Sequence, residues 1–106
     1  MKRVERYKTA NRKVPFQGWL DKLRKEVQGC VIAHINRVAA GGVKKNLRSV
    51  GFGVHEIKIS WGPGLRVYFG NRTNVMILLL LGGDKNSQNR DIKKAQRYWR
   101  SYNESN

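Results

Sequence analysis

The sequence predicts an α+β fold, and three observations carry that prediction. Residues 55–69, HEIKISWGPGLRVYF, alternate apolar and polar on both sides of a Gly-Pro-Gly turn, the pattern of an antiparallel hairpin. Phe16, Trp19, Leu20, Leu23 and Val27 recur at i, i+3, i+4, i+7 and i+11, the stripe of an amphipathic helix. The run VMILLLL at 75–81 does not alternate, which marks a central strand covered on at least one face and partly on the other. The expected order is an N-terminal strand, a helical hairpin, a three-stranded antiparallel meander and a C-terminal helix, packed as one compact layer pair over residues 1–106.

The first strand is read at 3–8, with Val4 and Arg6 on one face and Glu5 and Tyr7 on the other. NRKVP breaks it, and Pro15 suits the first turn of a helix. A second helix is expected at about 28–40, with Val31, Ile35, Val38 and Ala39 on its apolar stripe, either continuous with the first or kinked near Gly29, and with a stop at Gly41 and Gly42. Residues 43–53 read as a basic loop carrying Lys44, Lys45 and Arg48. After the central run, Gly82 and Gly83 allow a sharp exit, and Asp84 or Ser87 is a plausible N-cap. Ile92, Ala95, Trp99 and Tyr102 then place the last helix at about 88–101. Trp19, Leu23, Ile57, Val67, Ile77, Leu79 and Trp99 are expected in the core, with Trp61 capping it at the turn.

Charge narrows the function classes. Twenty-two Lys and Arg against seven Asp and Glu give a formal net charge of +15 and a pI near 10.7. The positive charge is spread along the chain, 13 basic residues in 1–50 and nine in 51–106, so a basic tail is not its source. Such a surface attracts a polyanion, nucleic acid first and an acidic protein second. Cys30 is the lone cysteine, which excludes an intrachain disulfide, favours the cytoplasm and suits a buried, inert thiol. The two histidines and this cysteine stand in different contexts, so neither a metal nor another cofactor is expected. The apolar run at 75–81 is too short to span a bilayer, and no membrane role is expected.

Strand parity points to the site. If Ile57, Ile59, Leu65, Val67 and Phe69 face the helices, then Glu56, Lys58, Arg66 and Tyr68 share the opposite, solvated face, with Lys85 at its edge. Such a patch clamps phosphate and stabilises negative charge developing on it. Cross-strand Glu–Lys and Glu–Arg pairing on an ordinary wet face explains the same pattern. Tyr68 is placed either to stack on an RNA base or to pack against a neighbouring side chain, while Lys44, Lys45, Arg48 and Arg90 extend the RNA-binding set. His34 lies within a helix, and His55 shares the parity of Ile57, a modest candidate for a general base.

FQGWLDKLRKE, VGFGVHEIKISWGPGLRVYF, LLLLGGDKNSQNRDI and AQRYWRSY together resemble the RelE/ParE toxin superfamily of type II toxin–antitoxin systems, and more closely the HigB-like, phage-derived addiction module killer proteins. The resemblance implies a RelE-like α+β fold, a cytoplasmic toxin and a cognate antitoxin that masks the basic surface in a hetero-oligomer. For RelE-like members it implies ribosome-dependent mRNA cleavage by attack of a 2′-hydroxyl on the adjacent phosphate. Arg66 then matches the phosphate-binding arginine, Lys58 a lysine of the preceding strand, and Lys85 an arginine after the last strand. Glu56 stands where RelE has another lysine. Asp91 lies near the place of a tyrosine expected at the start of the last helix. Glu56 is a candidate base, weakened by basic neighbours that lower its pKa. A ParE-like gyrase poison and a non-catalytic nucleic-acid-binding module remain the alternatives.

Overall fold

The computed structural model describes residues 2–42, 45–72 and 76–105. Its elements run β1 (Arg3–Arg6), α1 (Pro15–Asp21), α2 (Lys25–Ala39), β2 (Leu47–Gly51), β3 (Val54–Ile59), β4 (Leu65–Arg72), β5 (Met76–Asp84), a 3₁₀ turn (Lys85–Ser87) and α3 (Gln88–Ser105). The strands form one sheet in the order β1-β5-β4-β3-β2, with β1 parallel to β5 and the other pairs antiparallel. The fold is therefore α+β, as the patterning predicts. Among the described residues, no helix is long and apolar enough to cross a membrane.

Both faces of the sheet are covered. On one, Ile57, Ile59, Leu65, Val67, Phe69, Ile77 and Leu79 pack with Phe16 and Leu20 of α1 and Val27, Val31 and Ile35 of α2. On the other, Val54, Tyr68, Met76, Leu78 and Leu80 pack with Ala95, while Ile92, Trp99 and Tyr102 of α3 close over them. This second layer corrects the expectation that the face of Glu56, Lys58, Arg66 and Tyr68 is solvated. The apolar stripe of α3 must be buried somewhere, and it lies across that face. It also explains why the β5 run does not alternate, since both sides of the strand are dry.

β1 stops at Arg6 rather than residue 8 and the last helix runs on to Ser105 rather than about 101, and three larger differences from the sequence reading stand beside these. The helix break falls at residues 22–24 rather than near Gly29. Lys22 and Leu23 donate N–H to the carbonyls of Trp19 and Leu20, ending α1, and Arg24 turns extended (φ −62°, ψ 152°) before α2 starts. Both helices lie on one core, so the apolar stripe runs across the corner and conceals it. Residues 47–51, expected as loop, form β2 and make the meander four-stranded. Its short polar alternation hides it, and the hairpin turn needs positive φ at Gly51, Phe52 and Gly53.

The third difference is at Gly82 and Gly83, which do not end β5 but continue it to Asp84. A Cβ on Gly82 would lie 2.0 Å from the Trp19 ring, and one on Gly83 would lie 1.9 Å from the Asp91 carboxylate. These glycines let an indole and a buried aspartate rest directly on the strand. Ile57, Val67, Ile77 and Leu79 are buried as expected, while Trp19, Leu23 and Trp99 are half-buried against the core. Trp61 is 41% exposed and caps nothing. Cys30 is half-buried rather than fully enclosed.

Gly82→Ala forces a methyl into the Trp19 ring and is expected to cost about 1–3 kcal/mol, read by urea denaturation. In the Trp19→Ala background the same change should cost much less, because the obstructing ring is gone. Equal costs in both backgrounds would contradict this packing.

Candidate functional site

Register sets the groups in rows. Arg48 of β2 stands opposite Glu56 of β3, which stands opposite Tyr68 of β4. One step along, Lys58 stands opposite Arg66, and Arg66 opposite Gly83. The Asp84 side chain accepts from the N–H groups of Asn86 (2.8 Å) and Ser87 (3.2 Å), fixing the turn that starts α3 with Gln88 over these rows.

Glu56, 2% exposed, is the hub. Its Oε1 accepts from Arg48 Nε at 2.9 Å and its Oε2 from Gln88 Nε2 at 2.9 Å, while Arg66 Nε lies 4.0 Å from Oε2. Burial alone would raise the carboxyl's pKa. The hydrogen bonds from Arg48 and Gln88, with the charge of Arg48, outweigh it and hold the group below its ordinary range. Glu56 is thus a fixed anion, a poor base and a good anchor for cations. Arg48 is raised in turn by its bond to Glu56.

Arg66 is buried on β4, and its Nη1 donates to the Gly64 carbonyl at 3.1 Å. Its Nε and the Tyr68 hydroxyl are buried without a hydrogen-bond partner among the described residues. Burial, then the charge of Glu56, pushes the Tyr68 phenol far up, so it stays neutral. Beside Arg66 open two adjoining cavities. One, of about 370 Å³, is lined by Arg48, Glu56, Lys58, Arg66 and Gln88. The other, of about 450 Å³, is lined by Lys58, Trp61, Arg66, Lys85 and the glycines of the turn. Lys58 and Arg66 line both, so the two form one groove carrying four cations and a single carboxylate. Such a groove suits a phosphodiester: a rigid guanidinium at its floor and two exposed ammonium groups at its rim.

The structure therefore brings together Arg48, Glu56, Lys58, Arg66 and Lys85. Tyr68 does not join them as a stacking surface. It is 0% exposed beneath α3, which corrects that assignment. Arg90 points outward on α3 with Nε 3.9 Å from Asp91 Oδ1, and lines neither cavity of the groove. Lys45 lines a smaller cavity of about 120 Å³ that meets the groove at Asn46 and Lys58. Lys44 lies outside the described residues. His55 is on the opposite face of the sheet, stacked on Phe69 at 5.4 Å, and burial lowers its pKa. Asp91 is buried and accepts from the Ser87 hydroxyl, a structural tie where the resemblance would place a tyrosine. Gln88 and Trp61 are among the groove residues that sequence patterning missed. The capping sequence Asp84–Ser87 was the available signal for Gln88.

The chain is similar to an uncharacterized protein of Haemophilus influenzae, 39% identical over 82 residues that cover 76% of this chain and 82% of that protein. No family model matches the sequence, and no solved structure matches it.

Glu56→Gln should destabilise the fold at pH 7 by about 1–3 kcal/mol, because buried Arg66 loses its counter-charge. A carboxyl held low in the folded state contributes stability that is complete above its unfolded pKa and is lost as pH falls through the lower folded value. The gap between the parental protein and Glu56→Gln should accordingly narrow below about pH 4 in urea titrations. A gap that is constant with pH would contradict the buried-anion role.

Proposed function

We propose that this chain, which belongs to the same family as the uncharacterized Haemophilus influenzae protein, is the toxin of a type II toxin–antitoxin pair and an endoribonuclease that arrests translation by cutting mRNA on the ribosome. The observation that carries this reading is the convergence of Lys58, Arg66 and Lys85 on one groove. The resemblance of the 50–69 and 78–92 segments to RelE/ParE toxins supports it, as does the charge of +15. The protein acts in the cytoplasm, and its cognate antitoxin neutralises it by covering the cationic groove in a hetero-oligomer.

The chemistry requires no covalent enzyme intermediate. The ribose 2′-hydroxyl loses its proton to water as it attacks the adjacent phosphorus, the bond to the 5′-oxygen of the next nucleotide breaks, and that oxygen takes a proton from water, leaving a 2′,3′-cyclic phosphate and a 5′-hydroxyl. Arg66, tied to the Gly64 carbonyl and faced by the Glu56 charge, and Lys58 opposite it meet the non-bridging oxygens as negative charge grows on them. Lys85 lines the same groove, and in this reading it offsets charge on the leaving oxygen. Glu56 is a positioning residue here, because a carboxyl held low takes up a proton poorly.

The test is induction in bacteria while labelled amino-acid and thymidine incorporation are followed. Prompt loss of protein synthesis is expected, and early loss of DNA synthesis would overturn the nuclease in favour of a gyrase poison. Lys58→Ala and Lys85→Ala remove exposed side chains, so cleavage should fall by up to about 10²–10³ with melting unchanged. Arg66→Ala is a poorer probe, since a guanidinium only 6% exposed leaves a hole and an unpaired Glu56 behind it. Arg66→Lys should retain the fold and lose most activity. RNA affinity should drop steeply with salt, as phosphate contacts release counterions, and salt-independent retention would contradict a charge-driven groove.

A further inference from the structure

We infer that Trp61 is the base-stacking platform of the groove, taking a nucleobase of single-stranded RNA beside the phosphate held by Lys58, Arg66 and Lys85. This rests on the RNA reading above and adds the residue that grips the base. Among the described residues, two large apolar side chains are exposed, Phe52 at 80% and Trp61 at 41%. Phe52 sits at the tip of the β2–β3 hairpin, away from the residues that line the groove. Trp61 lines the part of the groove that holds Lys58, Arg66 and Lys85. The other two indoles are committed to packing, Trp19 on Gly82 and Trp99 on Gly70.

The turn fixes the backbone from which this indole projects beside the cationic site. Trp61 N–H donates to the Ile59 carbonyl at 2.9 Å, and Gly64 N–H donates to the Trp61 carbonyl at 2.9 Å. The Gly64 carbonyl then accepts from both Lys85 N–H at 3.1 Å and Arg66 Nη1 at 3.1 Å. One short chain of hydrogen bonds thus links the exposed aromatic to two of the cations. Gly62 and Gly64 adopt φ of 54° and 88°, which glycine accepts without strain. A cationic site with an exposed indole beside it matches the two ends of a nucleotide, phosphate and base. Only an unpaired strand frees a base face for the ring, and every base offers one, so the contact tolerates sequence.

The experiment titrates the full-length protein with a short 2′-O-methylated single-stranded RNA, which binds without supplying the attacking hydroxyl, and with the same RNA carrying one abasic position. Fluorescence of the parental protein, Trp61→Phe and Trp61→Ala is followed at several salt concentrations. RNA should quench parental emission, and Trp61→Phe should lose the quench while keeping near-parental affinity. Trp61→Ala should bind about tenfold more weakly, with the salt slope unchanged and sensitivity to the abasic position lost. Salt-dependent binding that neither quenches emission nor weakens in Trp61→Ala overturns the platform and leaves the RNA reading intact. RNA that fails to bind the parental protein overturns both.

Discussion

A buried carboxylate makes the arrangement of this fold possible. Glu56 lies between β2, β4 and the first turn of α3, receiving Arg48 and Gln88 on its two oxygens with Arg66 4.0 Å from Oε2. Taking a guanidinium out of water is costly unless a counter-charge and hydrogen bonds accompany it. In a chain of net charge +15, acids are scarce, and this one is spent on the sheet's interior. With Glu56 in place, α3 can fold across a face that also carries a buried arginine. The cover is not perfect: among the described residues, the buried Arg66 Nε has no hydrogen-bond partner.

The same interaction divides the cations of the sheet into two kinds. Arg66 is inner: buried, tied to the turn carbonyl and held in one orientation. Lys58 and Lys85 are outer, exposed and free to follow a ligand's oxygens. A fixed donor at the floor needs little reorganisation as charge develops, and flexible donors at the rim raise local anion concentration. Arg48 stands between the two kinds, its side chain 59% exposed yet hydrogen-bonded to Glu56.

Strand parity made much of this legible in the sequence. The alternation at 55–69 set Glu56, Lys58, Arg66 and Tyr68 on one face, and they are there. Parity assigns a face but not what covers it. That Tyr68 and Glu56 are dry follows from where α3 docks, which its own stripe of Ile92, Ala95 and Trp99 leaves open. The unbroken VMILLLL run was the better clue, because only a strand dry on both sides dispenses with alternation. The 43–53 segment looked like loop because β2 is short and edge-placed, and its Arg48 gains a partner only through pairing with β3. Trp61 went unrecognised for a related reason: in sequence it continues the apolar parity of Ile57 and Ile59, while the turn swings it outward.

The central claim is that the cationic groove at the β3–β4 turn binds RNA phosphate. Amide and guanidinium NMR shifts during titration with a short 2′-O-methylated single-stranded RNA test it most directly. The account predicts that the largest changes fall on Lys58, Trp61, Gly64, Arg66 and Lys85, with the Arg66 Nε resonance among them. Changes confined to the outer residues of α3 such as Arg90 and Arg97, with the groove silent, would contradict it.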